Sequence, residues 1–373
     1  MEFINLKAQY SYLKQEIDNN IQQVLDSANF VMGSQVNEFE KKLAEYVGRK
    51  YAVSCASGTD ALQLIYMAYG IGTGDAVFCP DMTFIASVEP ACMLGATPIF
   101  CDIDPRTYNL CPESLERQIK AVIKQGTLRP KAIVAVDFIG NPADYTMISK
   151  IANKYDLLLI EDAAQGMGAS YHGEKCGSFG DIAATSFFPS KPLGCYGDGG
   201  AVFTNSEDVL TLLQSLRVHG KGQSKYDNIR IGLNSRLDTL QAAIMLPKLS
   251  RLEEEIQIRQ SLAQKYTDSL SPYFVTPYIP EGAISSYAQY ALLATSREQR
   301  DEIQARLRDN GIPTITYYPH PMHTMKVFEG CFKGDETFEN TIDYANRTFS
   351  IPFSAYLSIE EQNKIMSILI EAR

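Results

Sequence analysis

Lys191 stands in Thr185-Ser186-Phe187-Phe188-Pro189-Ser190-Lys191-Pro192-Leu193-Gly194, a stretch with few charges and tight turns after an apolar run. An amine held in such surroundings gives up its proton more readily and becomes a nucleophile toward carbonyl carbon. A second chemistry-bearing pair, Glu161-Asp162, ends the apolar run Leu157–Ile160. Strand alternation sends the two carboxylates to opposite faces, so only one faces a given pocket and they do not form an acid–base pair. A buried Asp is costly without a cation, and a protonated heterocyclic nitrogen would serve as one. The third segment is Ser54-Cys55-Ala56-Ser57-Gly58-Thr59-Asp60-Ala61-Leu62. It reads as a strand end, a turn of small residues and a helix start, which offers backbone N–H groups and hydroxyls to an anion at the positive end of a helix. Each segment alone has a plainer reading: a solvated lysine, an Asp that caps the next turn, a helix capped by Ser57 or Thr59.

Apolar runs and amphipathic stretches alternate between residues 50 and 205 and must position these groups. Tyr51–Cys55, Ala76–Cys79, Pro98–Asp102, Ala132–Val136 and Leu157–Ile160 are predicted strands, several of them apolar on consecutive positions. Asp60–Tyr69, Ile85–Leu94, Pro112–Lys124 and Asp144–Lys154 are predicted helices, and Thr185–Phe188 with Ala201–Thr204 a hairpin. The pattern predicts an α/β fold with a mostly parallel sheet covered on both faces, which binds ligands beyond the carboxyl ends of its strands. Residues 236–270 read as one long helix or a broken pair, with Pro247 expected to kink or restart it. Beyond 272 the order changes: a strand at Tyr287–Ala294, a helix at Glu298–Asn310 ended by Gly311, a strand at Thr314–Tyr318 and a last helix at Ser358–Ala372. A boundary is placed near 250, giving a large domain over 1–250 and a small α+β domain over 251–373. The first twenty-odd residues are an arm or a helix packed on either.

On such a frame the three segments, in the chain order cradle, carboxylate, lysine, suit pyridoxal phosphate. The lysine bonds the aldehyde, the carboxylate keeps the ring nitrogen protonated and the turn cradles the phosphate. Composition agrees with a globular enzyme: 373 residues, 45% hydrophobic, 21% charged and a net charge of −10. The acidic balance and lack of a basic block argue against a nucleic-acid partner. No apolar run reaches the length of a membrane span, and the N-terminus lacks a signal-peptide pattern. The eight cysteines form no C-x-x-C pair and read as reduced thiols of a cytoplasmic protein. The four histidines follow no metal-binding pattern, so no catalytic metal is expected.

The stretches Ser57-Gly58-Thr59-Asp60-Ala61-Leu62, Glu161-Asp162-Ala163-Ala164-Gln165, Ser186-Phe187-Phe188-Pro189-Ser190-Lys191, Gly197-Asp198-Gly199-Gly200 and Gly232-Leu233-Asn234-Ser235-Arg236-Leu237-Asp238 carry a specific resemblance. The sequence resembles, over nearly its whole length, the sugar-nucleotide aminotransferases of the fold-type-I pyridoxal-phosphate enzymes, the DegT/DnrJ/EryC1/StrS family. The resemblance implies that Lys191 is the Schiff-base lysine, Asp162 the partner of the pyridine nitrogen and Gln165 a neighbour of the ring hydroxyl. It implies that Gly58, Thr59 and Ser186 hold the phosphate beside Ser57, that Phe84 stacks on the ring, and that Asn234 and Arg236 reach the phosphate and the substrate of a second subunit. A homodimer with shared sites follows, using L-glutamate as amino donor and a nucleoside-diphosphate-linked keto sugar as acceptor. The subgroup it is most like aminates carbon 3, in amino-sugar synthesis for surface polysaccharide, glycan or antibiotic. Where uronate enzymes of that subgroup carry His-Tyr-Pro near the sugar, this chain has Tyr317-Tyr318-Pro319, which removes a cation and points to a neutral or deoxy sugar. The alternatives are a cofactor-dependent dehydrase or lyase on the same fold, a non-enzymatic regulator, disfavoured by the presence of Lys191, and a nucleotide-binding oxidoreductase, disfavoured by the missing glycine fingerprint.

Overall fold

The computed structural model describes residues 1–224, 226–332 and 334–371. Helices α1 (Leu6–Ser27) and α2 (Ser34–Val47) precede the first strand, β1 (Tyr51–Cys55). There follow α3 (Gly58–Ala68), β2 (Asp75–Pro80), α4 (Glu89–Met93), β3 (Thr97–Cys101), α5 (Pro112–Gln125), β4 (Arg129–Val136), α6 (Tyr145–Tyr155) and β5 (Leu158–Asp162). The short strands β6 (Ser170–Tyr171) and β7 (Glu174–Lys175) lead to β8 (Ile182–Ser186), β9 (Gly200–Thr204) and α7 (Glu207–Leu216). Helix α8 (Thr239–Leu270), β10 (Ala283–Ile284), β11 (Tyr290–Leu293), α9 (Arg297–Asp309), α10 (Glu339–Arg347), β12 (Thr348–Ile351) and α11 (Ile359–Glu371) complete the chain.

Seven strands form one sheet in the order β1-β9-β8-β5-β4-β2-β3, parallel except for β9, which runs against both neighbours. Both faces are covered. Val53, Val77, Val134, Ile160 and Val202 pack toward α3, α4 and α7. On the other side Phe78, Ile99 and Ile133 meet α5 and α6, while Ala183, Ala201 and Phe203 meet α2 and α8. This double burial is why the strands read as near-continuous apolar runs. The register sets Val136 beside Asp162 and Asp162 beside Ala184, so the carboxyl ends of β4, β5 and β8 lie together at one edge.

The predicted strands and hairpin are present, with ends shifted by up to three residues. Other expectations need correction. Ile85–Leu94 is not one helix: a 3-10 turn at Ile85–Ser87 precedes α4. An unbroken helix would need a donor at Pro90, which has no N–H. Helix α8 does not restart at Pro247. The Ala243 carbonyl, which a residue with an N–H at 247 would have satisfied, instead accepts from Asn20 Nδ2 of α1 at 3.1 Å. Tyr287–Ala294 shortens to β11, because Tyr287 takes a positive φ of 45°. Thr314–Tyr318 makes only one bridge, Ile315 to Ser350, before the chain turns away from β12. The last helix begins as expected, with Ser358 Oγ accepting from the Glu361 N–H, and Ala372 lies outside the described residues. Residue 250 falls inside α8, whose first half packs Ala242, Met245 and Leu249 below the large sheet. Its second half packs Ala263, Tyr266 and Leu270 against β11, β12, α9 and α11. The N-terminal segment is a helix on α8, with Leu13 and Ile17 against Ile244. All eight cysteines are unpaired, and no described helix is long and apolar enough to cross a membrane.

Candidate active site

A cavity of about 420 Å³ opens beyond the carboxyl ends of the parallel strands. The structure brings Ser57, Gly58, Thr59, Phe84, Asp162, Gln165, Ser186, Lys191, Tyr317 and Tyr318 to its wall, so three distant segments of sequence meet at one place.

The cradle forms where β1 turns into α3. Ser57 caps the helix, its Oγ accepting from the Asp60 N–H at 3.0 Å, and its own hydroxyl proton remains free to donate. The first N–H groups of α3 have no intrahelical partner and carry the positive end of the helix dipole. Glycine is required at 58, because a Cβ there would lie 2.6 Å from Ser186 Cβ on β8. The helix start and Ser186 therefore converge on the same small volume.

Asp162 ends β5 and is buried. Its Oδ2 accepts from Ser87 Oγ at 2.8 Å and its Oδ1 from the Ala164 N–H at 3.2 Å. Burial raises its pKa, opposed by the Ser87 and Ala164 bonds and by the charge of Lys191. Glu161 faces the other way, as alternation requires, and accepts from the Gly177 and Phe179 N–H groups at 2.6 and 2.7 Å. With Asp137 and Cys176 it forms a buried acidic cluster in which desolvation raises the pKa of all three groups. Both Glu161 oxygens are already engaged by backbone donors, and the cluster does not line the cavity.

Lys191 is held by a tight turn in which its N–H donates to the Phe188 carbonyl at 2.8 Å. Its Nζ has no hydrogen-bond partner among the described residues. Desolvation lowers its pKa from the ordinary lysine value, with Asp162 acting in the opposite direction. Gln165 accepts from the Ile139 N–H and donates through Nε2 to Tyr318 Oη at 3.1 Å. Phe84 is 54% exposed at the mouth, its ring 5.9 Å from that of Tyr318.

Asn234 and Arg236 are not brought to this cavity. They pair with each other on the surface of the loop before α8, Arg236 donating to Asn234 Oδ1. Sequence reasoning missed Thr83, Ser87, Ser190, Asp198 and Gln289, all of which line the cavity. Gln289 is buried with its Oε1 unpartnered. Thr83 and Ser87 carried no signal in sequence, since Thr83 precedes the turn at Ile85–Ser87 and the two hydroxyls meet only in the folded chain, at 2.7 Å.

An amine without a partner, a buried carboxylate facing it and an N–H cradle that a single Cβ would fill are the groups a phosphorylated aldehyde with a protonated ring nitrogen requires. The DegT/DnrJ/EryC1/StrS aminotransferase family model matches residues 11–370. The chain belongs to that family. It is an aminotransferase, and pyridoxal phosphate is its cofactor. Among relatives, the UDP-2-acetamido-2-deoxy-3-oxo-D-glucuronate aminotransferase of Pseudomonas aeruginosa is 49% identical over 87% of each chain. The dTDP-3-amino-3,6-dideoxy-alpha-D-galactopyranose transaminase of Aneurinibacillus thermoaerophilus is 37% identical over 98% of this chain and 97% of its own. A DegT/DnrJ/EryC1/StrS aminotransferase from Brucella abortus superposes with a TM-score of 0.97 at 43% identity, covering 100% of this chain and 99% of that one.

Proposed function

We propose that this aminotransferase moves an amino group from L-glutamate to carbon 3 of a keto sugar linked to a nucleoside diphosphate. The observation that carries the reading is the unpartnered Lys191 amine in one cavity with Asp162 and the Gly58–Thr59 cradle. The two relatives named above, whose names specify 3-oxo and 3-amino sugars on nucleotides, support the acceptor. Incubation with glutamate and a panel of nucleotide-linked keto sugars, followed by mass spectrometry, tests it. Loss of the holoenzyme's yellow colour on adding glutamate separates amino transfer from a lyase reaction.

In this reading the Gly58 and Thr59 N–H groups with the Ser57 and Ser186 hydroxyls hold the phosphate, Phe84 covers the ring and Gln165 lies by its hydroxyl. Pyridoxal phosphate, when bound, supplies an electron sink. Asp162 holds a proton on the ring nitrogen. Lys191 Nζ, displaced by the donor amine, takes the proton from the donor's α-carbon and later returns a proton at the sugar carbon, as general base and then acid. The remote nucleotide contributes binding energy away from the reacting carbon. Residues 1–250 would carry the cofactor, and 251–373 would bring Tyr317 and Tyr318 to the sugar. A place in surface-polysaccharide or glycan synthesis, in the cytoplasm, belongs to the same reading.

Two observations divide the choice of sugar. Lys191 is the only cation among the described residues lining the cavity, and Tyr317 lies at the wall, which favours a neutral or deoxy sugar. The 49% identical relative is named for a glucuronate. We expect a higher kcat/KM for the neutral member of a matched pair of 3-keto sugars; a large preference for the uronate reverses the assignment and transfers the carboxylate to Arg236 of a second copy.

A homodimer is part of the proposal. Asn234 and Arg236 lie outside their own chain's cavity, and Ile229 and Ile231 nearby are exposed, Ile231 by 87%, as a covered face would require. Lys191→Ala and Arg236→Ala homodimers are each expected to be poorly active. Unfolded and refolded together, about half the dimers are mixed by random pairing, and one site in each mixed dimer carries neither lesion. About a quarter of all sites should then recover. No rise above the mean of the two preparations, with mixed dimers shown by tagged purification, means that Arg236 acts within its own chain.

A further inference from the structure

Asp162 does not stand alone behind the cavity. Its Oδ2 is 2.8 Å from Ser87 Oγ, and Ser87 Oγ is 2.7 Å from Thr83 Oγ1. All three residues are buried. A carboxylate only accepts, so the Ser87 hydroxyl proton is committed to Asp162. Ser87 Oγ is then left as an acceptor, and Thr83 must donate to it. The direction of both bonds follows from the charge at one end: Thr83 donates to Ser87, and Ser87 to Asp162. Ser87 ends the 3-10 turn Ile85–Ser87 and Thr83 lies just before it; the turn is pinned from behind by the Tyr66 hydroxyl, which donates to the Ser87 carbonyl. Pro90, which prevents this turn from merging with α4, leaves the Ser87 side chain facing the end of β5.

We propose that Ser87, backed by Thr83, is a positioning residue: it keeps the Asp162 carboxylate ionised and aimed, and so sets the protonation of the cofactor's ring nitrogen. The inference rests on the reading of Asp162 as that nitrogen's partner. Desolvation pushes Asp162 toward its neutral form, and the Ser87 bond heads the opposing contributions. The titratable groups that face Asp162 are Lys191 from the turn after β8, Tyr66 from α3 and Tyr318 from the segment after Ile315. Only the lysine brings positive charge, and it is occupied once the cofactor is bound. The hydroxyl relay then holds the carboxylate charged from the protein side. Hydrogen bonds of this kind reinforce one another in a low dielectric, because each donor polarises the next.

The sign follows directly. Removing the Ser87 donor raises the Asp162 pKa, so the acidic limb of the reaction moves to higher pH. For Ser87→Ala holoenzyme we expect that limb, read in single turnovers with glutamate, to move up by about one pH unit, the equivalent of losing a roughly tenfold stabilisation of the carboxylate. The pH titration of the bound cofactor's absorbance, recorded without any donor, should move in the same direction. Thr83→Val, which keeps the shape and removes the hydroxyl, should shift both less. In an Asp162→Asn background Ser87→Ala should add nothing, whereas a packing defect would add to the loss. Unmoved limb and absorbance titrations in Ser87→Ala overturn the relay, even if the rate falls. Should Ser87→Ala give no folded holoenzyme, Thr83→Val carries the test, and unmoved titrations there overturn it. If Asp162→Asn itself leaves rate and absorbance normal, the reading of Asp162 has failed first. An impaired Asp162→Asn with a normal Ser87→Ala rejects the relay alone.

Discussion

Lys191→Ala is expected to lower turnover of glutamate and keto sugar by about four orders of magnitude or more, with the fold intact. In the proposed reading two functions vanish with one side chain: the nucleophile that carries the cofactor and the base that shuttles the proton. The fold should not suffer, because the Lys191 amine has no hydrogen-bond partner among the described residues to lose, and its desolvation is a cost that alanine relieves. The check is a steady-state assay beside thermal unfolding of the same preparation. A variant that melts normally and retains a substantial fraction of the wild-type rate removes Lys191 from the mechanism.

The second large effect is expected from Asp162→Asn. The amide is nearly isosteric and can still accept from Ser87 or Ala164 through its oxygen, so the cradle at Gly58 and Thr59 should keep the cofactor bound. What is lost is the negative charge opposite a buried ring cation. Removing one partner of a buried ion pair costs about 3–5 kcal/mol, which corresponds to a fall of about 10²- to 10⁴-fold in the glutamate half-reaction. Single-turnover bleaching by glutamate reads this step directly. A near-normal rate would show that the ring's electron demand is met without Asp162.

The candidate groups that line the cavity were legible in sequence where a single short segment holds both the residue and the reason for its place. Lys191 among Ser, Pro and Gly, Asp162 at the end of an apolar run and Gly58 between two small polar residues each announce a turn beyond a strand. The sheet order then brings the three turns together, as expected for ligands at the carboxyl ends of parallel strands. Thr83 and Ser87 escaped because two hydroxyls in a largely apolar stretch acquire meaning only from the strand they pack against. That α8 runs on through Pro247, the unbroken one of the two expected forms, has a similar cause. Proline's local rule is correct, but Asn20, more than two hundred residues earlier in sequence, supplies the missing donor. Helix α10 and strand β12 went unassigned because they follow one another directly, at Arg347 and Thr348, with no turn residue between them to mark the change. Thr314–Tyr318 has a strand's composition, yet its last residues leave Ser350 and line the cavity instead.

The 32 residues of α8 have a geometric consequence. At 1.5 Å per residue it is a rod about 48 Å long. Its early turns are keyed to the large sheet and its late turns to β11 and β12, so the angular phase between Met245 and Tyr266 is a mechanical constant of the molecule. Inserting a single residue near 258 would rotate everything downstream by about 100°. Tyr317 and Tyr318 would then be pulled against their ties to the large domain, the bond from Gln165 to Tyr318 Oη and that from the Tyr318 N–H to Met82 Sδ at 3.4 Å. The helix thus works as an indexing shaft between its two keyed faces.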